Sequence, residues 1–255
     1  MPPVFRASGH AMFSLIDTHA HLDQLEDIEG AVQRARAAGV AAIIAVGMNQ
    51  FSNYHVYKLA REHRGYVYPA FGIHPWAIEK GELEDTFEFI RAHFGDCVAV
   101  GEIGLDYWIK KDKKIQQEVF CRLLEAAGEK GKPISTHSRG SYEDVFQLVQ
   151  EYGIKEAVFH WYSGPLEIVE RIVESGYFVS ATPAVEYSEK HRAVIEMAPL
   201  ENLLLETDCP VKYKDVKSEP ATLEVTLREV AKLKKADPAD VARITTENAR
   251  RIFRL

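Results

Sequence analysis

The feature that most constrains this chain is an alternation that runs from one end to the other. Short apolar, β-rich runs recur: FSLIDT at 13–18, VAAIIAV at 40–46, YVYPAFG at 66–72, CVAVGEI at 97–103, KPISTH at 132–137, EAVFHW at 156–161, YFVSA at 177–181 and NLLLET at 202–207. Amphipathic helical patterns lie between them, among them IEGAVQRARAAG at 28–39, QQEVFCRLLEAAGEKG at 116–131, YEDVFQLVQEYG at 142–153 and PLEIVERIVESG at 165–176. These four end in Gly39, Gly131, Gly153 and Gly176, the residue favoured where a helix closes in a left-handed turn. VAAIIAV is apolar on both faces, as expected where helices cover one side and a packed interior fills the other. Eight such runs, closed by helical patterns near 222–235 and 238–252, predict a TIM (β/α)8 barrel in a single domain. The runner-up is an open doubly wound sheet, which expects an early phosphate loop. Neither G-x-G-x-x-G nor G-x-x-x-x-G-K occurs. No linker or repeat divides the chain, so the expected organisation is a loose leader over 1–11 and one barrel over 12–255, with Met12 as an alternative start.

Charge bears on partners. Lys plus Arg number 31 against 38 Asp plus Glu, a net charge of −7. A protein that coats nucleic acid through broad surface electrostatics should be basic. The balance still allows an enzyme with a few local phosphate contacts. Cys97, Cys121 and Cys209 are odd in number and widely spaced, which reads as a reducing compartment without a disulfide framework. No apolar stretch suits a signal peptide or a membrane span. The expectation is therefore a cytoplasmic protein with no membrane partner and no obligate protein partner.

The ten histidines test the barrel reading. His10, His55, His63, His93 and His191 fall in the leader or in helical and loop segments, where surface or capping roles suffice. The others sit at or just beyond strand ends: His19 and His21 after the first run, His74 after the third, His137 and His160 after the fifth and sixth. In a barrel those ends form the catalytic face. Side chains two apart on a strand point the same way, so His19 and His21 can meet one metal. Glu102, His137, His160 and Asp208 are further ligand types at strand ends. Imidazole with carboxylate suits zinc, manganese, iron, nickel or cobalt, and the lack of thiolates argues against a structural zinc site. Six ligands exceed the need of one open catalytic metal, which predicts two, with Glu102 able to bridge them. In GEIGLD the flanking glycines are read as leaving space above Glu102.

Such a centre activates water, with a carboxylate taking the remaining proton. Asp208, at the last strand, is the candidate base as well as a ligand. Serine catalysis is disfavoured because G-x-S-x-G is absent. Cys97 and Cys121 sit in apolar contexts, and the carboxylate beside Cys209 hinders a thiolate. Arg139, two residues past His137, suits phosphate because a guanidinium fork matches phosphate oxygens. Lys110, Lys111, Lys113 and Lys114 read either as a solvated loop or as a phosphate contact. Trp76, Tyr107, Trp108, Trp161 and Tyr162 read either as loop packing or as surfaces for base stacking.

The motifs DTHAHLD (17–23), FGIHP (71–75), GEIGLDY (101–107), PISTHSR (133–139), FHWYSG (159–164), ETDCP (206–210) and TENARRIF (246–253) stand in the order found in TatD-type metal-dependent deoxyribonucleases. The chain resembles that family, part of the amidohydrolase-like barrel hydrolases, over residues 15–253. The resemblance implies a two-metal barrel that cleaves DNA phosphodiesters, often as a 3′-to-5′ exonuclease. It implies His19, His21 and Asp208 on one metal and His137 and His160 on the other, with Glu102 bridging and Asp208 as general base. The metals it allows are zinc, manganese, magnesium, nickel or cobalt. His74 and Arg139 match positions near the substrate phosphate. Two segments depart from the family pattern, CPVKYKDVKSEP after ETD and WIKKDKK after GLDY, and both bear on substrate preference. The rival is a hydrolase of the same architecture acting on a small amide, lactone or ester.

Overall fold

The computed structural model describes residues 13–255, so the expected leader over 1–11 and the start at Met12 lie outside the described residues. Eight strands follow one another: β1 (Leu15–Ala20), β2 (Val40–Val46), β3 (Val67–Phe71), β4 (Ala99–Asp106), β5 (Ile134–Arg139), β6 (Ala157–Phe159), β7 (Phe178–Ala181) and β8 (Leu203–Leu205). They pair in chain order, all parallel. The helices are α1 (Ile28–Ala37), α2 (Gln50–Glu62), α3 (Leu83–Ala92), α4 (Lys113–Lys130), α5 (Tyr142–Glu151), α6 (Leu166–Glu174), α7 (Glu189–Met197), α8 (Leu223–Lys234) and α9 (Pro238–Phe253). A short hairpin, β9 (Lys212–Tyr213) with β10 (Val216–Lys217), lies between β8 and α8.

Local chemistry sets these boundaries. Asp27, Asn49, Asp112 and Asp237 each accept a backbone N–H at the start of a helix, satisfying donors that the first turn leaves free. Gly131 caps α4 with φ +59, and Gly39, Gly153 and Gly176 are likewise left-handed. Side-chain alternation then sorts the strands into two faces. Ile43 and Ala45 of β2 join the large cluster beneath the helices. Ala42, Ile44 and Val46 join a second cluster with Ile16, Ala70, Ala99, Val158, Phe178 and Leu204. That second cluster is the barrel interior, and Ala249, Ile252 and Phe253 of α9 close it from below.

An open doubly wound sheet is excluded because β8 returns to β1. Asp208 N donates to His19 O (2.9 Å) and His21 N to Cys209 O (2.8 Å), with Ala20 bridging Cys209 in parallel. Thr18 Oγ1 donates to Leu205 O at 3.0 Å. Asp17, wholly buried, accepts from Thr207 N (2.9 Å) and Thr207 Oγ1 (2.6 Å). Burial pushes the Asp17 carboxyl up to about 8, against the pull of those hydrogen bonds.

Removing the Asp17 acceptor strands the buried Thr207 donors. Asp17→Ala is therefore expected to lower stability by about 2–4 kcal/mol. Asp17→Asn, neutral and isosteric with the acid form that burial favours, should cost under about 1 kcal/mol. Urea unfolding at pH 7 separates the two, and equal losses would refute the role given to the side chain.

Candidate active site

The polar residues singled out by the sequence meet at one end of the barrel. His19 and His21 stand at and just past the end of β1, Glu102 and His137 lie within β4 and β5, His160 follows β6, and Asp208 follows β8. All but His137 are buried.

They converge on Glu102, whose two oxygens face different groups. Oε2 lies 3.3 Å from His19 Nε2 and 3.4 Å from His21 Nε2. Oε1 lies 2.8 Å from His137 Nδ1, 3.3 Å from His74 Nε2 and 3.5 Å from His160 Nε2. Asp208 Oδ1 completes the first group, 3.7 Å from His19 Nε2 and 3.5 Å from His21 Nε2, which are themselves 3.4 Å apart. Most of these separations are long for hydrogen bonds. They match instead the edge of a tetrahedron with ligand bonds of about 2.1 Å, roughly 3.4 Å. Three sets of ligand atoms are close enough to share an ion: His19 with His21 and Asp208, His74 with Glu102 and His137, and His19 with His160 and Glu206.

The far nitrogens of the imidazoles are anchored. His19 Nδ1 faces Ser135 Oγ at 3.3 Å, and His21 Nδ1 faces Val46 O at 3.2 Å. His160 Nδ1 meets Glu206 Oε1 at 2.8 Å, and His137 Nε2 meets Asp106 Oδ2 at 3.1 Å. Such outer partners fix ring orientation and tautomer. His74 differs, because its Nδ1 accepts from Trp76 N at 3.1 Å. The proton then sits on Nε2, so His74 faces Glu102 as a donor.

Electrostatics follow from this packing. Burial opposes the Glu102 charge, yet His74, His160, His19 and the His137 hydrogen bond hold its carboxyl well below the usual range. Burial lowers His74 to about 4. His160 rises to about 9, because Glu206, Glu102 and Asp208 outweigh its burial.

Asp17, Asp106 and Glu206 sit in the quoted motifs without a role assigned from sequence, and all three are wholly buried. Glu206 is wholly buried and also accepts from Trp161 N at 3.0 Å. Its spacing from Asp208 in ETD was the available signal. Trp161 is held at φ +38, a conformation a bulky residue adopts only where its surroundings compel it. Contrary to the expectation from sequence, the glycines flanking Glu102 do not leave space above it but face β5. A Cβ on Gly101 would lie 2.8 Å from Ser135 Cβ, and one on Gly104 (φ +147) would strike the His137 carbonyl. They let β4 press against β5.

A cavity of about 500 Å³ opens over the cluster, lined in part by Trp76, Trp108, Arg139, Trp161 and Tyr187. Tyr162 is wholly buried, and Tyr107 OH donates to Asp144 Oδ2 at 2.5 Å, so both serve packing. Of the lysine run, Lys111 binds Ile78 O and Glu79 Oε1, and Lys113 Nζ lies 4.0 Å from the Tyr107 ring centroid. These two belong to loop structure.

Cys209, beside Asp208, is buried and its thiol is pushed well above the ordinary range by that burial, which removes a thiolate nucleophile. Cation ligands at the mouth of a (β/α)8 barrel remain, and with them the chain falls among the metal-dependent hydrolases. The family model for TatD related DNase matches residues 16–254, and the chain belongs to that family. It is 33% identical to the putative deoxyribonuclease tatdn3 of Danio rerio, over 93% of this chain and 96% of that one. It is 34% identical to the uncharacterized metal-dependent hydrolase YabD of Bacillus subtilis, over 94% of this chain and 99% of that one. Among solved structures, the TatD homolog YJJV of Escherichia coli superposes with a TM-score of 0.86 at 28% identity, covering 94% of this chain and 98% of that one. No helix among the described residues is long and apolar enough to cross a membrane.

Of the histidines given bland roles, His191 is not a surface residue. It is wholly buried, with Nε2 accepting from Thr182 N (3.1 Å) and Nδ1 donating to Tyr162 O (2.9 Å). Nε2 can accept only in the neutral ring, and burial lowers His191 to about 4. The unfolded chain takes up a proton near pH 6.5 that the folded chain refuses until about 4, so stability falls as pH drops through that window. His191→Gln, which can keep both hydrogen bonds, should make the dependence of unfolding free energy on pH shallower there by about one proton. Superimposable slopes for the two proteins between pH 4 and 6.5 would contradict this.

Proposed function

We propose that this chain is a metal-dependent deoxyribonuclease that removes nucleotides from DNA ends, 3′ to 5′, with two divalent cations at the barrel mouth. The single observation that carries the reading is the division of the Glu102 carboxylate, with Oε2 turned to His19 and His21 and Oε1 to His137 and His160. In this reading His19, His21 and Asp208 would hold one cation and His137 and His160 the other, with Glu102 shared between them. The donor set suits zinc, manganese, magnesium, nickel or cobalt. When bound, such cations supply Lewis acidity at a phosphate oxygen and bring the pKa of water towards neutrality.

The remaining work falls to the chain's own groups. Asp208 takes the proton of the attacking water on its carboxylate. The new P–O bond forms as the bond to the leaving sugar oxygen breaks, and that oxygen takes a proton from solvent water. The Arg139 guanidinium holds phosphate oxygens, and His74, with its Nε2 proton turned to Glu102, lines the cavity wall beside them. Glu206 and Asp106 keep His160 and His137 turned inward. The cavity of about 500 Å³ over the cluster supports trimming from an end. Arg139 at the mouth favours a phosphodiester over an amide, lactone or ester. Three free cysteines support a reducing, cytoplasmic setting.

Excess chelator is expected to abolish cleavage of single-stranded DNA, with recovery on adding back a divalent cation. Asp208→Asn should lose cleavage while calorimetry still detects metal binding. If metal-loaded protein leaves single- and double-stranded DNA intact, the nuclease reading fails. Glu206→Gln weakens the anchor of His160 and should lower metal affinity by about 10- to 100-fold. An unchanged calorimetric titration would remove Glu206 from the site.

A further inference from the structure

Around Arg139 the cavity mouth carries two large apolar surfaces that the fold does not cover. Trp108 is 68% exposed and Trp76 is 47% exposed. The guanidinium carbon of Arg139 lies 5.2 Å from the Trp76 ring centroid and 5.3 Å from that of Trp108. All three groups are held by one buried carboxylate. Asp106 Oδ2 accepts from Trp76 Nε1 at 2.6 Å and contacts Arg139 Nε at 2.9 Å, while Oδ1 accepts from Trp108 N at 2.9 Å. The same Oδ2 meets His137 Nε2 at 3.1 Å. Gln116 fastens Asp106 in turn, exchanging hydrogen bonds with its backbone N (2.8 Å) and O (3.0 Å). The backbone has also been cleared for the outer indole: a Cβ on Gly140 would lie 2.5 Å from Trp108 Nε1, and that residue has φ +71.

We propose that Trp108, flanked by Arg139 and Trp76, is the subsite that stacks the base of the nucleotide next to the scissile phosphate. Asp106 is its positioning residue, tying the platform to His137. The proposal rests on the nuclease reading above and adds the residues that grip the strand. The terminal nitrogens of Arg139 make no hydrogen bond among the described residues and are free for phosphate oxygens. The indole beside them offers a flat, open π face, which suits any base because every base has one. An exposed aromatic face at a cavity mouth points to a ligand surface. A small amide or ester would leave that face uncovered.

The test compares single-stranded oligonucleotides with adenine, or no base, at the residue next to the cleaved linkage. With metal-loaded wild-type protein, KM should be lower for adenine by on the order of tenfold. In Trp108→Ala the two KM values should agree within about twofold, and Trp108→Phe should restore part of the gap. Asp106→Asn keeps the volume but turns an amide towards several donors, so it should narrow the gap as well. Trp108 is exposed, so its removal should leave the melting temperature unchanged. Binding is measured in parallel from tryptophan fluorescence, using phosphorothioate hexamers with and without the base. Equal affinities in wild-type protein, or an undiminished gap in Trp108→Ala, would overturn the subsite. If no DNA is cleaved the nuclease reading falls, and the fluorescence titration still decides the subsite by the same criterion.

Discussion

The structure depends on the seam where the last strand meets the first. β8 is only three residues long, and the chain past it, not the strand itself, completes the junction through Asp208 N to His19 O and His21 N to Cys209 O. These hydrogen bonds satisfy backbone groups that a barrel cannot leave unpaired. They also fix the segments that carry His19, His21 and Asp208. Closing the barrel and assembling one ligand group are thus a single event. Asp208 sits at φ +47, a conformation Asp tolerates better than most residues. It lets the carboxylate turn inward while the backbone bonds β1.

The second constraint is charge without water. Glu102, Asp106, Glu206 and Asp208 are all buried at the mouth, and isolated carboxylates there would be prohibitively costly. Each is surrounded by imidazoles, indoles or backbone N–H groups, so the cost is offset by directed contacts. The same contacts set a hierarchy. Glu102 and Asp208 face the inner ring nitrogens, whereas Glu206 and Asp106 hold His160 and His137 from outside. A net charge of −7 draws cations and repels a polyanion. On the proposed reading, two divalent cations would add about +4 at the mouth beside Arg139, and a strand would be gripped at a few phosphates and not along a broad surface.

Legibility in the sequence differed by element. The strands were readable as short runs that are apolar on both faces, as in β2, and the helices as an apolar period near 3.6, as in α5 and α6. Helix ends were readable from Gly39, Gly131, Gly153 and Gly176. The cluster of His19, His21, Glu102, His137, His160 and Asp208 was readable because a barrel brings strand ends together whatever their distance along the chain. Asp106 and Glu206 lay in the same motifs but looked like ordinary strand-end acids, since their partners Arg139, Trp76 and His160 are remote in sequence. His191 looked like a helix-surface residue because its two acceptor and donor partners come from the loops after β6 and β7.

By itself the sequence determined the barrel, the family and the set of ligand-type side chains, because all three are written in local spacing and residue identity. Tertiary structure alone decided how those side chains divide. It set which Glu102 oxygen faces which histidines, which nitrogen of His74 carries its proton, and which of the mouth aromatics are open. Tyr162 and Trp108 are both aromatic residues near site motifs, yet one fills the core and the other stands in solvent. That difference depends on what packs against each ring, and packing between distant segments leaves no local period to read.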